Sequence, residues 1–186
     1  TLDRSSAASD VYKRQPLKEV VESLSSSSTA QLSSKEIDYS RALLQTETKE
    51  VGKQKVQIHR LSIPRGETFK VVLSEGTEVF LNSDSRLAYP TIFKGKERVV
   101  SLEGEAYFKV AKNAEHPFIV KSGNLQVRVL GTEFNVRSYS PTDVRVTLIT
   151  GKVAVSDTCG IHSVEMMPGQ SAQLSSNGTF AVKEVD

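Results

Sequence analysis

The chain has 186 residues, 38% of them apolar, 25% charged and 6% aromatic with no Trp, which is enough for one domain with a real core. Its 24 Lys and Arg against 22 Asp and Glu leave a charge of +2, with no basic cluster and no aromatic–basic interleaving, which argues against nucleic acid as a partner. No unbroken apolar run exceeds three residues, Val71-Val72-Leu73 and Phe118-Ile119-Val120 being examples, so a transmembrane helix and a signal peptide are excluded within these residues.

In chain order, Ser5-Ser6-Ala7-Ala8-Ser9-Asp10-Val11-Tyr12-Lys13-Arg14-Gln15 resembles the in-frame translation of a transposase adapter used to prepare sequencing libraries. Residues 1–15 are therefore expected to be an artefact, with the native protein continuing upstream of Pro16. Without Asp3, Arg4, Asp10, Lys13 and Arg14 there are 21 positive and 20 negative residues, so the charge argument is unchanged. Residues 16–52, with the serine run Ser25 to Ser28, are too polar to bury enough surface to offset chain entropy. They read as a polar linker with at most a short helix near Leu17 to Leu24.

From Lys53 the pattern becomes one of strands. Val56 and Ile58 alternate with polar residues, as do Phe69, Val71 and Leu73; Ala106, Phe108 and Val110; Leu125, Val127 and Val129; Val144, Val146 and Leu148. Period two with polar partners predicts strands with one buried face. Pro64, Pro90, Pro117, Pro141 and Pro168 fall between these runs, as expected for a residue that cannot donate to a ladder. Asn177-Gly178, between Gln173-Leu174 and Phe180-Ala181-Val182, is a hairpin signal. Residues 53–186 are thus predicted to form one all-β domain of about ten short strands: a two-layer sandwich, a jelly roll or a β-solenoid-like wrap. The absence of a fixed repeat lowers the regular solenoid.

Chemistry is sparse. No nucleophile elbow, phosphate loop or dinucleotide fingerprint occurs. The lone Cys159 allows no intramolecular disulfide and no cysteine-rich zinc site; Cys159-Gly160-Ile161-His162 has ligand-like spacing but no second pair, and reads as a loop. Glu103 and Glu105 flank Gly104, and on a regular strand both would share one face, where they could share a proton or hold a cation. The simpler reading is a solvent face or backbone bonding beside a bulge at Gly104, with Arg86, Arg98 and Lys109 as nearby cations. Phe80, Tyr89, Tyr107, Phe108, Phe118, Phe134 and Tyr139 could stack on a sugar, although most fall in the alternating runs and read as core.

The order of short motifs resembles the periplasmic domain of the FecR family of transmembrane anti-sigma regulators, in the Bacteroidetes style. It runs through Ile63-Pro64-Arg65-Gly66, Gly76-Thr77-Glu78-Val79-Phe80-Leu81-Asn82, Ser85-Arg86-Leu87-Ala88-Tyr89-Pro90, Phe93 and Arg98-Val99-Val100. It continues through Leu102-Glu103-Gly104-Glu105-Ala106-Tyr107-Phe108, His116-Pro117-Phe118, Val129-Leu130-Gly131-Thr132-Glu133-Phe134-Asn135-Val136, Thr147-Leu148, Gly151-Lys152-Val153 and Pro168-Gly169-Gln170. Family members often have Pro-Asp where this chain has Ser74-Glu75, and Trp where it has Phe80; Glu turns less readily than Asp, which implies a looser hairpin.

The resemblance implies a relay in which an occupied TonB-dependent outer-membrane transporter signals to an inner-membrane single-pass protein, which releases or activates an extracytoplasmic-function sigma factor. The part in hand would be the periplasmic module, with the sigma-binding segment and the membrane helix lying upstream. No cofactor and no catalytic residue are implied. The family-motif positions Gly76, Asn82, Tyr89, Pro90, Glu103, Gly104, Glu105, Phe108, Pro117, Phe118, Gly131, Thr132, Phe134, Gly151, Pro168 and Gly169 are expected to mark fold or partner interface. Two other classes are kept: a secreted carbohydrate-binding β domain using an exposed Tyr such as Tyr89 or Tyr139, and a small β-sandwich enzyme using Glu103 and Glu105.

Overall fold

The computed structural model describes residues 56–140, 143–175 and 178–185, and the backbone alone of residues 31–33 and 36–38. All regular structure among them is β. The strands are β1 (Gln31–Ser33), β2 (Glu36–Asp38), β3 (Ile58–Ile63), β4 (Phe69–Val72), β5 (Glu78–Leu81), β6 (Ser85–Pro90), β7 (Arg98–Lys109) and β8 (Phe118–Ser122). They continue with β9 (Leu125–Val129), β10 (Glu133–Ser140), β11 (Asp143–Thr150), β12 (Val153–Asp157), β13 (Ser163–Met166), β14 (Gln170–Leu174) and β15 (Phe180–Glu184).

Two sheets form and share one strand. Sheet I has the order β1-β2-β4-β5-β7-β10-β11-β14-β15, and sheet II the order β3-β6-β7-β8-β9-β12-β13. Neighbours are antiparallel except β2 with β4 and β7 with β8. The first half of β7 pairs in sheet II, with Arg98 to Ser101 beside β8 and Glu103 opposite Arg86; the second half pairs in sheet I, with Ala106 and Phe108 opposite Val136 and Phe134. A strand that changes sheets needs a local break in its pleat, which a bulge supplies. Gly104 provides it, with φ at 94°. A Cβ there would stand 2.5 Å from Ser85 Oγ and 2.8 Å from Ser85 Cα, so only glycine fits. The buried Ser85 hydroxyl seals the break, accepting from Glu105 N–H at 2.8 Å and donating to Glu105 O at 3.1 Å.

The alternation read from the sequence is the core. Phe69, Val71 and Leu73, Ala106, Phe108 and Val110, Leu125, Val127 and Val129, and Val144, Val146 and Leu148 are all buried. Phe108 stacks on Phe134 at 5.1 Å and tilts against Phe118 at 6.2 Å, contacts that add ~0.5–1.5 kcal/mol each to the burial of the rings. β14 pairs antiparallel with β15 on either side of the expected hairpin, Asn177 itself lying outside the described residues.

Four details differ from expectation. Thirteen strands lie between Ile58 and Glu184 against the ten or so read from alternation, because strands such as β13, with Met166 its one buried residue, are too short to show a period. Val56 and Ile58 are exposed; the buried face of β3 is Leu61 and Ile63. Pro90 is the last residue of β6, not outside it; β7 pairs β6 only from Arg86 to Ala88, so no ladder donor is needed from Pro90 on that side. The polar stretch 16–52 contributes β1 and β2, with β2 lying parallel to β4. The short helix near Leu17 to Leu24 lies outside the described residues.

Candidate functional site

The motif residues first build turns and joints. Gly76 closes the β4–β5 turn, donating to Leu73 O at 2.9 Å while Leu73 N–H reaches Thr77 O at 2.8 Å. Gly131 lies so close to Lys112 that a Cβ would stand 2.7 Å from its Cα. Thr132 ties two turns together: its hydroxyl donates to Lys152 O at 2.9 Å, and its carbonyl accepts from Val110 N–H at 3.0 Å. Gly151 opens the turn into β12, and Pro168-Gly169 sits between β13 and β14, with Gly169 N–H donating to Leu148 O. Phe108, Phe118 and Phe134 are core, and so is Tyr89, 1% exposed with His59 edge-on at 6.1 Å. Tyr89 is therefore unable to stack on a sugar, which removes one of the two tyrosines on which a carbohydrate site would rest.

At one end of the sandwich the motifs converge on a buried cation that sequence reasoning treated as a surface partner for Glu103 or Glu105. Arg98, 2% exposed, instead pairs with Glu75 at 3.2 Å. Its Nε donates to His116 O at 2.7 Å, its Nη1 to Ala111 O at 3.0 Å, and its backbone N–H to Pro117 O at 2.8 Å. The guanidinium lies 5.4 Å from the centre of the Phe118 ring. Thr77, fully buried, donates to Glu75 Oε1 and accepts from Ala111 N–H. Three segments distant in sequence are pinned to one charge. Arg98 Nη2 and Glu75 Oε2 are buried with no hydrogen-bond partner among the described residues, so the cluster is held at a cost.

The two carboxylates weighed as a catalytic pair have separate tasks. Glu103 is exposed and forms an ion pair with Arg86 at 2.9 Å on sheet II. Glu105 is half-buried on sheet I, where its two oxygens accept from Asn135 Nδ2 at 2.9 Å and Asn82 Nδ2 at 3.1 Å. The bulge at Gly104 separates them, which is the simpler of the two readings made from the sequence. Cys159 is exposed in the β12–β13 turn, while His162 Nδ1 bonds Asp157 at 3.0 Å. Among the described residues no three His, Cys, Asp or Glu come together as a metal site would require.

The chain's residues 59–154 match the family model described as FecR protein. The chain belongs to the FecR family. No curated protein sequence matches it. Two crystal structures of proteins from Parabacteroides distasonis ATCC 8503, each assigned provisionally as an anti-sigma factor, have the same fold. One, at 2.50 Å resolution, is 34% identical with a TM-score of 0.66 over 70% of this chain and 61% of its own length. The other, at 1.65 Å, is 35% identical with a TM-score of 0.65 over 68% of this chain and 60% of its own.

The two departures from the usual FecR pattern can now be placed. Glu75, in place of the common Asp, does not loosen the hairpin, because its longer side chain reaches back to Arg98 and ties the turn to β7. Phe80, in place of Trp, is 40% exposed on the outer face of sheet I, 5.8 Å from Tyr107 and beneath Lys70 Nζ at 5.7 Å. On the same face Tyr107 donates to Glu133 at 2.7 Å, and its phenol is pushed up to about 12 by burial, the bond to Glu133 and the nearby charges of Glu133 and Glu78. Tyr139 is 43% exposed, with its hydroxyl donating to Ser83 O and Arg137 over its ring. In the FecR domain this outer face holds the exposed aromatics Phe80 and Tyr139 together with the ion pairs Lys70–Glu78 and Arg137–Asp143, while sheet II presents Arg86–Glu103 and Arg128–Glu97. Among the described residues no helix is long and apolar enough to cross a membrane.

Proposed function

We propose that this FecR domain is the periplasmic module of an inner-membrane anti-sigma regulator, relaying substrate occupancy of a TonB-dependent outer-membrane transporter to an extracytoplasmic-function sigma factor. The observation that carries the reading is the family match over residues 59–154, supported by the two solved relatives. The module works by contact, without chemistry of its own: Glu103 and Glu105, the carboxylate pair weighed from the sequence, are each bound to different partners. The polar composition of residues 16–30, ahead of β1, suits a tether between a membrane helix and the domain. The match spans about three fifths of the solved relatives, so transporter and sigma factor would be engaged by a longer protein.

Sequencing genomic DNA through the codons for Pro16 and Asp186 tests this. A membrane helix upstream, with a sigma-factor gene beside it and a transporter gene following, is the expected result. A cleavable signal peptide joined to a hydrolase or lectin module would overturn it.

A further inference from the structure

On the outer face of sheet I, where β11, β14 and β15 lie side by side, Arg145, Thr147, Ser171, Gln173 and Lys183 line a groove of about 390 Å³. The register brings them together. Arg145 stands opposite Gln173, which stands opposite Ala181; Thr147 stands opposite Ser171, which stands opposite Lys183. The alternate residues Val144, Val146 and Ala172 point into the core, so this side is fixed outward. Ala181, with its short side chain, leaves the space between the two cations open.

The electrostatics of this patch are unbalanced. Arg145 lies opposite Arg137 across β10 and β11, an apposition of like charges that destabilises a sheet. Arg137 is relieved by Asp143 at 3.5 Å, whereas Arg145 and Lys183 form no ion pair among the described residues. Glu184, which follows Lys183 on β15, is the one acid lining the groove and leaves it with two cations to one carboxylate. Gln173 has no side-chain hydrogen bond among the described residues. Thr147 donates to Ser171 at 3.2 Å, which donates to Val146 O at 3.2 Å, leaving Thr147 Oγ1 able to accept. Two strand spacings and a two-residue offset put the Cα atoms of Arg145 and Lys183 about 12 Å apart. Carboxylates four residues apart on an extended segment are about 13 Å apart. The amide of Gln173 and the oxygen of Thr147 lie between, suited to a backbone that both donates and accepts.

We infer that this groove binds an acidic, extended peptide segment of a protein partner. The inference rests on the relay reading for the partner's being a protein. Ser171, Gln173 and Lys183 lie beyond the family match at residues 59–154, whereas Arg145 and Thr147 lie within it.

Fluorescence anisotropy at low salt, using the whole chain, tests this with a labelled ten-residue peptide of alternating Glu and Thr, its Gln-for-Glu counterpart, and an oligogalacturonate. The Glu peptide should bind, the Gln peptide should not, and R145E/K183E should weaken binding by about tenfold or more. The neutral pair R145Q/K183Q should weaken it less, and R60E/K121E, the same charge change on sheet II, should leave it intact. Equal binding of the two peptides, no binding of the Glu peptide, equal loss with R60E/K121E, or preference for the oligogalacturonate would each overturn the inference. None of these results bears on the upstream gene structure that tests the relay itself.

Discussion

The end of the sandwich around Arg98 and the flank of sheet I around Arg145 hold positive charge in opposite ways. Arg98 is enclosed, faces Glu75 and the carbonyls of Ala111 and His116, and is gripped by segments that all lie within the family match. Arg145 is exposed, faces another arginine, and shares its groove with residues beyond that match. The difference separates two uses of polarity. A buried and ion-paired charge fixes how loops meet the core, and its loss is read as stability. An exposed and unpaired one adds nothing to the fold's stability, and its loss is read as binding.

The largest break in this contrast is Arg98→Met. It strands the Glu75 carboxylate in a nearly closed site, and loss of one partner of a buried pair costs ~3–5 kcal/mol, measurable by urea unfolding. Gly104→Ala comes next, at about 3 kcal/mol, since the added methyl both collides with Ser85 and sits on a left-handed backbone. If it proved neutral, β7 would not need its break at that residue. Arg86→Ala, which removes a still shorter pair from the surface, should cost no more than ~1 kcal/mol. R145Q/K183Q should stay within ~0.5 kcal/mol of the unaltered chain, in the same unfolding assay.

The smallest effect is spectroscopic. Tyr107 holds its proton to about pH 12 when folded, against an ordinary 10.0. The folded state thus binds the proton more tightly, so this contribution to stability is full below pH 10 and is lost as pH rises from 10 toward 12. Phenolate absorbance should show one tyrosine titrating late, and Tyr107→Phe should remove it.

Much of the architecture is legible in the sequence for a simple reason. Phe69, Val71 and Leu73, or Val144, Val146 and Leu148, face one core from a pleated strand, and a period of two survives in the letters. The change of sheet within β7 is less visible, because Gly104 looks like any turn glycine until Ser85 is seen against it. Arg98 misleads for a different reason: a charged residue is ordinarily a surface residue, and besides Glu75 its acceptors are the backbone carbonyls of Ala111, His116 and Pro117, which carry no side-chain signal. Tyr89 and Tyr139 differ in their period-two neighbours, Leu87 against Arg137, and accordingly one is core and the other surface. The groove has no local signature, since Arg145, Gln173 and Lys183 meet only through the registers of three strands.

The central claim, that this domain transmits a signal by contact, is tested most directly in cells carrying the native gene. The codons for residues 58–184 would be removed in frame, and transcription from the sigma-dependent promoter followed with and without inducer. The account expects the response to inducer to vanish, with the promoter locked on or off. A response unchanged from that of the intact gene would contradict it.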